Sequence, residues 1–170
     1  ANATLTNNIS SSNDSSAIDT GTNTVAVSGT LSGSNAITKK GSGTLEITGT
    51  NNLTGTAKVQ EGTLKVASAD KLGSGAVSLE GGELELSADA TVTNDIASTN
   101  DTSAIDTGEQ SVTVSGDLSG TGEINKVGAG TLTLTGSLNN SGGVDITAGT
   151  LVANGTGTTP VTVTSGVLQG

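Results

Sequence analysis

Ala3 to Gly33 reads ATLTNNISSSNDSSAIDTGTNTVAVSGTLSG, and Ala90 to Gly120 reads ATVTNDIASTNDTSAIDTGEQSVTVSGDLSG. The offset is 90 − 3 = 87 residues, and 21 of the 31 aligned positions are identical with no gap. The same offset carries Lys39, Gly41, Gly43, Thr44 and Leu45 onto Lys126, Gly128, Gly130, Thr131 and Leu132, and then Gly62, Thr63 and Leu64 onto Gly149, Thr150 and Leu151. The chain is therefore almost two copies of one long unit, about 3–89 and 90–170. Repetition of this kind is the mark of a stacked architecture.

A shorter period lies inside the long one. Gly-x-Leu recurs at Gly43/Leu45, Gly62/Leu64 and Gly82/Leu84, and again at Gly130/Leu132, Gly149/Leu151 and Gly166/Leu168. The steps are 62 − 43 = 19, 82 − 62 = 20, 149 − 130 = 19 and 166 − 149 = 17 residues, close to one turn of a parallel β-helix. The longer step from Gly82 to Gly130 suggests rungs carrying loop insertions. Within the strands Leu and Thr alternate, as in Thr131-Leu132-Thr133-Leu134-Thr135 and Val161-Thr162-Val163-Thr164. A period of two puts one kind of side chain on each face of a strand. Gly, Asn, Asp and Ser break the pattern every few residues, as tight turns require. Hairpins in a sandwich would also alternate, but only stacked rungs need a repeat of about 20 residues. The expected fold is all-β, a right-handed parallel β-helix (β-solenoid) of about seven to eight rungs, with residues 1–170 forming a single segment of a larger chain.

Composition points the same way. There is no Phe, Trp, Tyr, Cys, His or Met, and no Arg; Gly occurs 26 times and Pro once in 170 residues. Such a chain buries apolar surface with Val, Leu, Ile and Ala alone, which suits a narrow interior built in layers. Disorder is the rival for a polar chain of net charge −10, but disorder has no reason to preserve alternation. The missing His and Cys exclude zinc sites of the usual kind, an imidazole base and a thiol nucleophile. With six basic residues against sixteen acidic ones, the net field repels polyanions, so no nucleic-acid partner is expected. No stretch is apolar enough to enter a membrane directly. Ala1 stands first without a Met, which reads as a piece of something longer.

Lys126-Val127-Gly128-Ala129-Gly130-Thr131-Leu132-Thr133-Leu134-Thr135-Gly136 resembles the core of the passenger-associated transport repeat of autotransporter passengers. Lys40-Gly41-Ser42-Gly43-Thr44-Leu45-Glu46-Ile47-Thr48-Gly49-Thr50-Asn51 is the earlier copy, continued by Leu53-Thr54-Gly55 and Gly62-Thr63-Leu64. The family commonly carries a Tyr near Leu53, where this chain has no aromatic. The resemblance implies type V secretion, an outer-membrane barrel following the passenger as a C-terminal partner domain, and an extracellular, cell-surface place. It implies a stalk, spacer or adhesin scaffold, since catalytic passengers of the family carry their active sites elsewhere. The expected partners are a second copy of the chain or ligands on host and cell surfaces. A self-associating adhesin working through its polar rod faces is the alternative, and a polysaccharide-active β-helix enzyme a further one.

Candidate sites follow from the polar residues that recur. Asn13-Asp14-Ser15-Ser16-Ala17-Ile18-Asp19 returns as Asn100-Asp101-Thr102-Ser103-Ala104-Ile105-Asp106. Oxygen-rich stretches suit Ca²⁺, which takes six to eight oxygen ligands, and Asp14, Asp19, Asp101 and Asp106 are the candidates. The competing reading has these residues holding turns by bonding their own backbone, and no metal or cofactor is expected. Glu80, Glu83, Glu85 and Asp89 form the densest acidic stretch. A carboxylate pair there could serve a glycosidase, but without Arg to hold an acidic sugar the expectation is solvated outward faces of neighbouring strands, and no catalytic residue is assigned. Asn13, Asn52, Asn100, Asn139 and Asn154 begin Asn-x-Ser/Thr triplets of the kind that chance supplies in such a composition. Thr131, Thr133 and Thr135 are like the threonine arrays of ice-binding solenoids, but their counterparts Thr44, Glu46 and Thr48 put a charge into the row. That pattern predicts an ordinary solvated strand face.

Overall fold

A computed structural model describes residues 1–170. Twenty-five short strands coil into a parallel β-solenoid with three faces and essentially no helix. The first face stacks nine strands, from Ala3–Leu5 through Thr24–Val27, Thr44–Ile47, Thr63–Val66, Glu83–Leu86, Ser103–Asp106, Ile124–Val127 and Val144–Ile146 to Val161–Val163. The third face stacks eight, from Ala17–Asp19 to Thr156–Gly157. The second face begins with Ile9–Ser10, Leu31–Gly33 and Asn51–Leu53 and resumes with Ala90–Val92, Ser111–Val114, Thr131–Leu134, Thr150–Ala153 and Val167–Gln169. Between its two parts the strand is replaced by a 3₁₀ turn, Ala69–Leu72. Every strand pairing is parallel, so the chain makes about eight turns. At a strand spacing of about 4.8 Å the nine strands of the first face span about 38 Å.

The interior is aliphatic and layered. On the first face Leu45, Leu64, Leu84 and Ile105 stand in register, beside a second file of Ile47, Val66 and Leu86. The second face contributes Val112, Leu132 and Leu151 in the same way. The buried apolar side chains are Leu, Val, Ile and Ala throughout, stacked on their own kind from turn to turn. Ser68-Ala69-Asp70-Lys71-Leu72 diverts the chain, and Leu72 is tucked inward in place of a strand residue. The gap left beside it is lined by Ile37, Leu53, Ala57, Leu64 and Leu72.

The long repeat does not close on a whole number of turns. Thr24–Val27 and Thr44–Ile47 lie on the first face, but their counterparts 87 residues on, Ser111–Val114 and Thr131–Leu134, lie on the second. Likewise Leu31–Gly33 lies on the second face and its counterpart Leu118–Gly120 on the third. Ile37–Lys40, on the third face, returns on the first as Ile124–Val127. One copy therefore advances the chain by four turns and one face, and the second copy is the first turned about one third around the axis. This corrects the expectation of loop insertions between Gly82 and Gly130. The step is long because the Gly-x-Leu motif changes face there, while the turns between keep their ordinary length: Leu84 pairs with Ile105, Ile105 with Lys126 and Lys126 with Ile146.

Candidate functional site

The recurring acidic residues sit at the corners between faces, and their oxygens are engaged by backbone. Asp14 accepts a hydrogen bond from the Ala36 N–H at 2.9 Å, and Asp101 accepts the same bond from Glu123 at 2.9 Å. Asp89 accepts from Ser111 at 2.8 Å and Asp95 from Asp117 at 2.9 Å. Asn2 and Asn8, the counterparts of Asp89 and Asp95, accept from Thr24 at 3.1 Å and Thr30 at 2.9 Å. Each of these side chains reaches a residue 22 positions on, in the next turn of the solenoid. Asp19 and Asp106 do something different: each caps its own turn, accepting from Gly21 at 2.8 Å and Gly108 at 2.7 Å. The expectation that such residues bond their own backbone thus fits Asp19 and Asp106, whereas Asp14 and Asp101 staple one rung to the next. Because Asp14 and Asp19 hold different corners, the fold does not bring them together as a ligand pair, and the same separation holds for Asp101 and Asp106. Asp101→Ala removes one inter-rung acceptor and leaves the Glu123 N–H at a wet corner. It is expected to cost about 0.5–1.5 kcal/mol, while Asp101→Asn should retain most of that; thermal melts of the two variants check it.

The acidic stretch from Glu80 to Asp89 wraps a corner instead of forming a cleft. Glu80 accepts from Gln60 at 2.9 Å, Glu83 accepts from the Thr63 hydroxyl at 3.1 Å, and Glu85 pairs with Lys65 at 2.5 Å. Burial pushes the Glu83 carboxyl above its ordinary value of 4.5, opposed by the Thr63 hydroxyl and reinforced by Asp106 and Glu85. A carboxyl whose folded pKa is raised binds its proton more tightly in the folded protein. Its contribution is fully present below the unfolded value and lost as pH rises through the folded one. Glu83 therefore adds stability as the pH falls from 7 towards 4.5, and over that range the melting temperature of Glu83→Gln should rise less, or fall more, than that of the parent. Equal slopes in both proteins would contradict the assignment.

Two side chains that the sequence did not single out are the most deeply buried charges in the molecule. Lys126 is 0% exposed and Lys39 2%. Lys126 stands in the aliphatic file of the first face between Ile105 and Ile146; Lys39 stands on the third face between Ile18 and Val59. Each ammonium donates to three backbone carbonyls. For Lys126 these are Val127 at 2.7 Å, Gly128 at 2.8 Å and Ala148 at 3.2 Å. For Lys39 they are Lys40 at 3.1 Å, Gly41 at 2.6 Å and Glu61 at 2.9 Å. The two cages are equivalent residue for residue under the 87-residue shift. Gly41 and Gly128 have φ of 78° and 80°, the left-handed conformation that turns their carbonyls inward. Thr20 and Thr107, both buried, bond the Lys40 and Val127 carbonyls from the turn before. Burial pushes both ammoniums below the ordinary lysine range, and Asp19 (with Glu61) and Asp106 oppose the shift. The available signal was Lys39 and Lys126 at equivalent places in an alternating strand, inward by parity.

The structure also removes the reason for discounting the threonine row. Glu46 is on the first face, with Ala26 and Lys65 as neighbours, so it does not interrupt Thr131 and Thr133. On the second face Thr133 is in register with Thr113, and Thr113 with Thr91; Thr131 stands between Ser111 and Thr150. The five strands of this sheet carry no charged residue. Of the Asn-x-Ser/Thr triplets, Asn52 and Asn139 occupy equivalent exposed strand positions, while Asn13 and Asn100 use their side-chain oxygens in turns.

The passenger-associated-transport-repeat family matches residues 37–66 and 124–153. Those two spans are offset by 124 − 37 = 87 residues, and each covers five strands, beginning with a caged lysine's strand. The chain is 42% identical over 107 residues to the adhesin BmaC autotransporter of Brucella suis biovar 1 (strain 1330). That match takes in 59% of this chain but only 3% of the adhesin. No solved structure gives a significant match. The chain thus carries two passenger-associated transport repeats within a parallel β-solenoid, and over much of its length it is similar in sequence to an autotransporter adhesin.

Proposed function

We propose that this segment is a non-catalytic stalk at the bacterial cell surface, a rigid spacer in a longer passenger that is followed by an outer-membrane barrel. The observation that supports it is the unbroken, in-register ladder of the first face from Ala3–Leu5 to Val161–Val163. Each turn adds about 4.8 Å of length, and its backbone donors and acceptors are taken up by the turns on either side. The candidate carboxylates fit a structural reading, since each is engaged by backbone or a neighbouring side chain. We take the segment to need no metal. Analytical ultracentrifugation of the dilute chain should give an elongated monomer with a β-rich spectrum, unchanged by chelation of Ca²⁺. A compact species or a chelator-induced loss of structure would overturn the spacer reading.

A second reading, lateral adhesion between rods, is favoured by the charge map. Residues 72–170 hold eleven acidic residues and one lysine, the buried Lys126, while residues 1–71 hold five of each. Two acidic halves meet without apposed carboxylates through the uncharged second face. That face measures about 24 by 13 Å, or about 300 Å², well short of the roughly 800 Å² per partner of a stable interface. Association through it is therefore weak and needs many contacts along a long rod. Concentration-dependent dimers abolished by Thr133→Glu would support this reading, and dimers indifferent to that change would remove it.

A further inference from the structure

We propose that Lys39 and Lys126 are register keys: buried ammoniums whose carbonyl cages fix how each rung sits on the next. The need for such a device follows from the rest of the core. Because side chains alternate with a period of two, a slip of two residues between adjacent rungs keeps every inward residue inward. The interior files are Leu, Val and Ile of similar size, so the aliphatic core by itself discriminates little against a two-residue slip. The corner glycines, which lie against the backbone of the previous turn, and the Asp14 and Asp101 bonds resist it at the corners, and the lysines are the one charged device inside the core. Near-identical copies add further ways to mispair. A caged ammonium is different. In register, Lys126 reaches Val127 and Gly128 in its own turn and Ala148 in the next. A slip moves the next turn by about 6.6 Å along the strand, takes the Ala148 carbonyl out of reach, and leaves a buried charge short of an acceptor. Buried charges add little to stability in themselves but penalise wrong arrangements strongly. The same geometry on two different faces, with the third carbonyl supplied 22 residues on in both, indicates a built feature.

Cysteine pairs read the register directly. Asn125 and Asp145 are opposite one another, and Thr147 takes the place of Asp145 after a two-residue slip. Two proteins, Asn125→Cys/Asp145→Cys and Asn125→Cys/Thr147→Cys, are refolded in a thiol–disulfide buffer, each with Lys126 and with Lys126→Met. With lysine present, the native pair should cross-link and the slipped pair should not. Losing one charged hydrogen bond's worth of discrimination, Lys126→Met should raise the slipped cross-link by about tenfold or more. If Lys126→Met folds and still gives only the native cross-link, the proposal is wrong. Should that variant fail to fold, Lys126→Ala is refolded with methylammonium chloride against sodium chloride of equal ionic strength. Recovery by methylammonium alone supports a cage that requires an ammonium, and no recovery overturns it.

Discussion

Leu84→Ala is expected to destabilise the protein by about 2–5 kcal/mol, the range for emptying a large aliphatic site that cannot collapse. Leu84 is fully buried and sits between Leu64 below and Ile105 above. Those neighbours are held by their own backbone ladders at the strand spacing, so they cannot move in to fill the space. The nearby Lys65–Glu85 pair lies on the outer side of the same strands and is a quarter to a third exposed. Lys65→Ala should cost no more than about 1 kcal/mol. The contrast tests the inward and outward assignment in one strand. Because rungs in a solenoid interact chiefly with their neighbours, hydrogen exchange in Leu84→Ala should accelerate first in strands Thr63–Val66, Glu83–Leu86 and Ser103–Asp106. Equal effects of the two substitutions on the melt would contradict the assignment.

Gly128→Ala is expected to cost about 2–4 kcal/mol, from the left-handed backbone together with steric overlap. The φ of Gly128 is 80°, and an added Cβ would overlap the Asp106 carboxylate and the Gly108 backbone of the previous turn. Its carbonyl is also one of the three on the Lys126 ammonium, so twisting the turn disturbs the cage. Gly108 has φ of 52° but open space around it, so Gly108→Ala bears the backbone cost alone and should fall nearer 1–2 kcal/mol. Urea titrations of both variants check the order; equal losses would show that close packing of successive turns adds nothing at Gly128.

The solenoid and its inward files are legible in the sequence because alternation and a step of about 20 residues are local signals. Leu45, Leu64 and Leu84 follow them without exception, and so do Leu132 and Leu151. What escapes a linear reading is the phase between periods. Eighty-seven residues make four turns and a third, so Thr44 and Thr131 are equivalent in sequence and one face apart in space. A linear alignment of the copies puts Glu46 in a threonine row that it does not join in space. Lys39 and Lys126 escaped for another reason: a lysine at an inward position reads as a break in the pattern until the carbonyls that receive it are in view. Those of Glu61 and Ala148 lie 22 residues away. Asp14 and Asp101 looked like turn residues, and only stacking shows that their partners are in the next rung.

The face change at the junction of the two copies carries the account of the fold, and trapping one disulfide tests it. In this arrangement Glu85 lies opposite Asp106 on the first face, while Thr113 lies on the second. Adjacent parallel strands fall within the Cα separation that a disulfide spans. A chain carrying Glu85→Cys, Asp106→Cys and Thr113→Cys, oxidised while folded and mapped by mass spectrometry, should yield the 85–106 disulfide. If the copies instead stacked in whole turns, the strand at Thr113 would take that place. A predominant 85–113 disulfide would then contradict the one-third rotation between the copies.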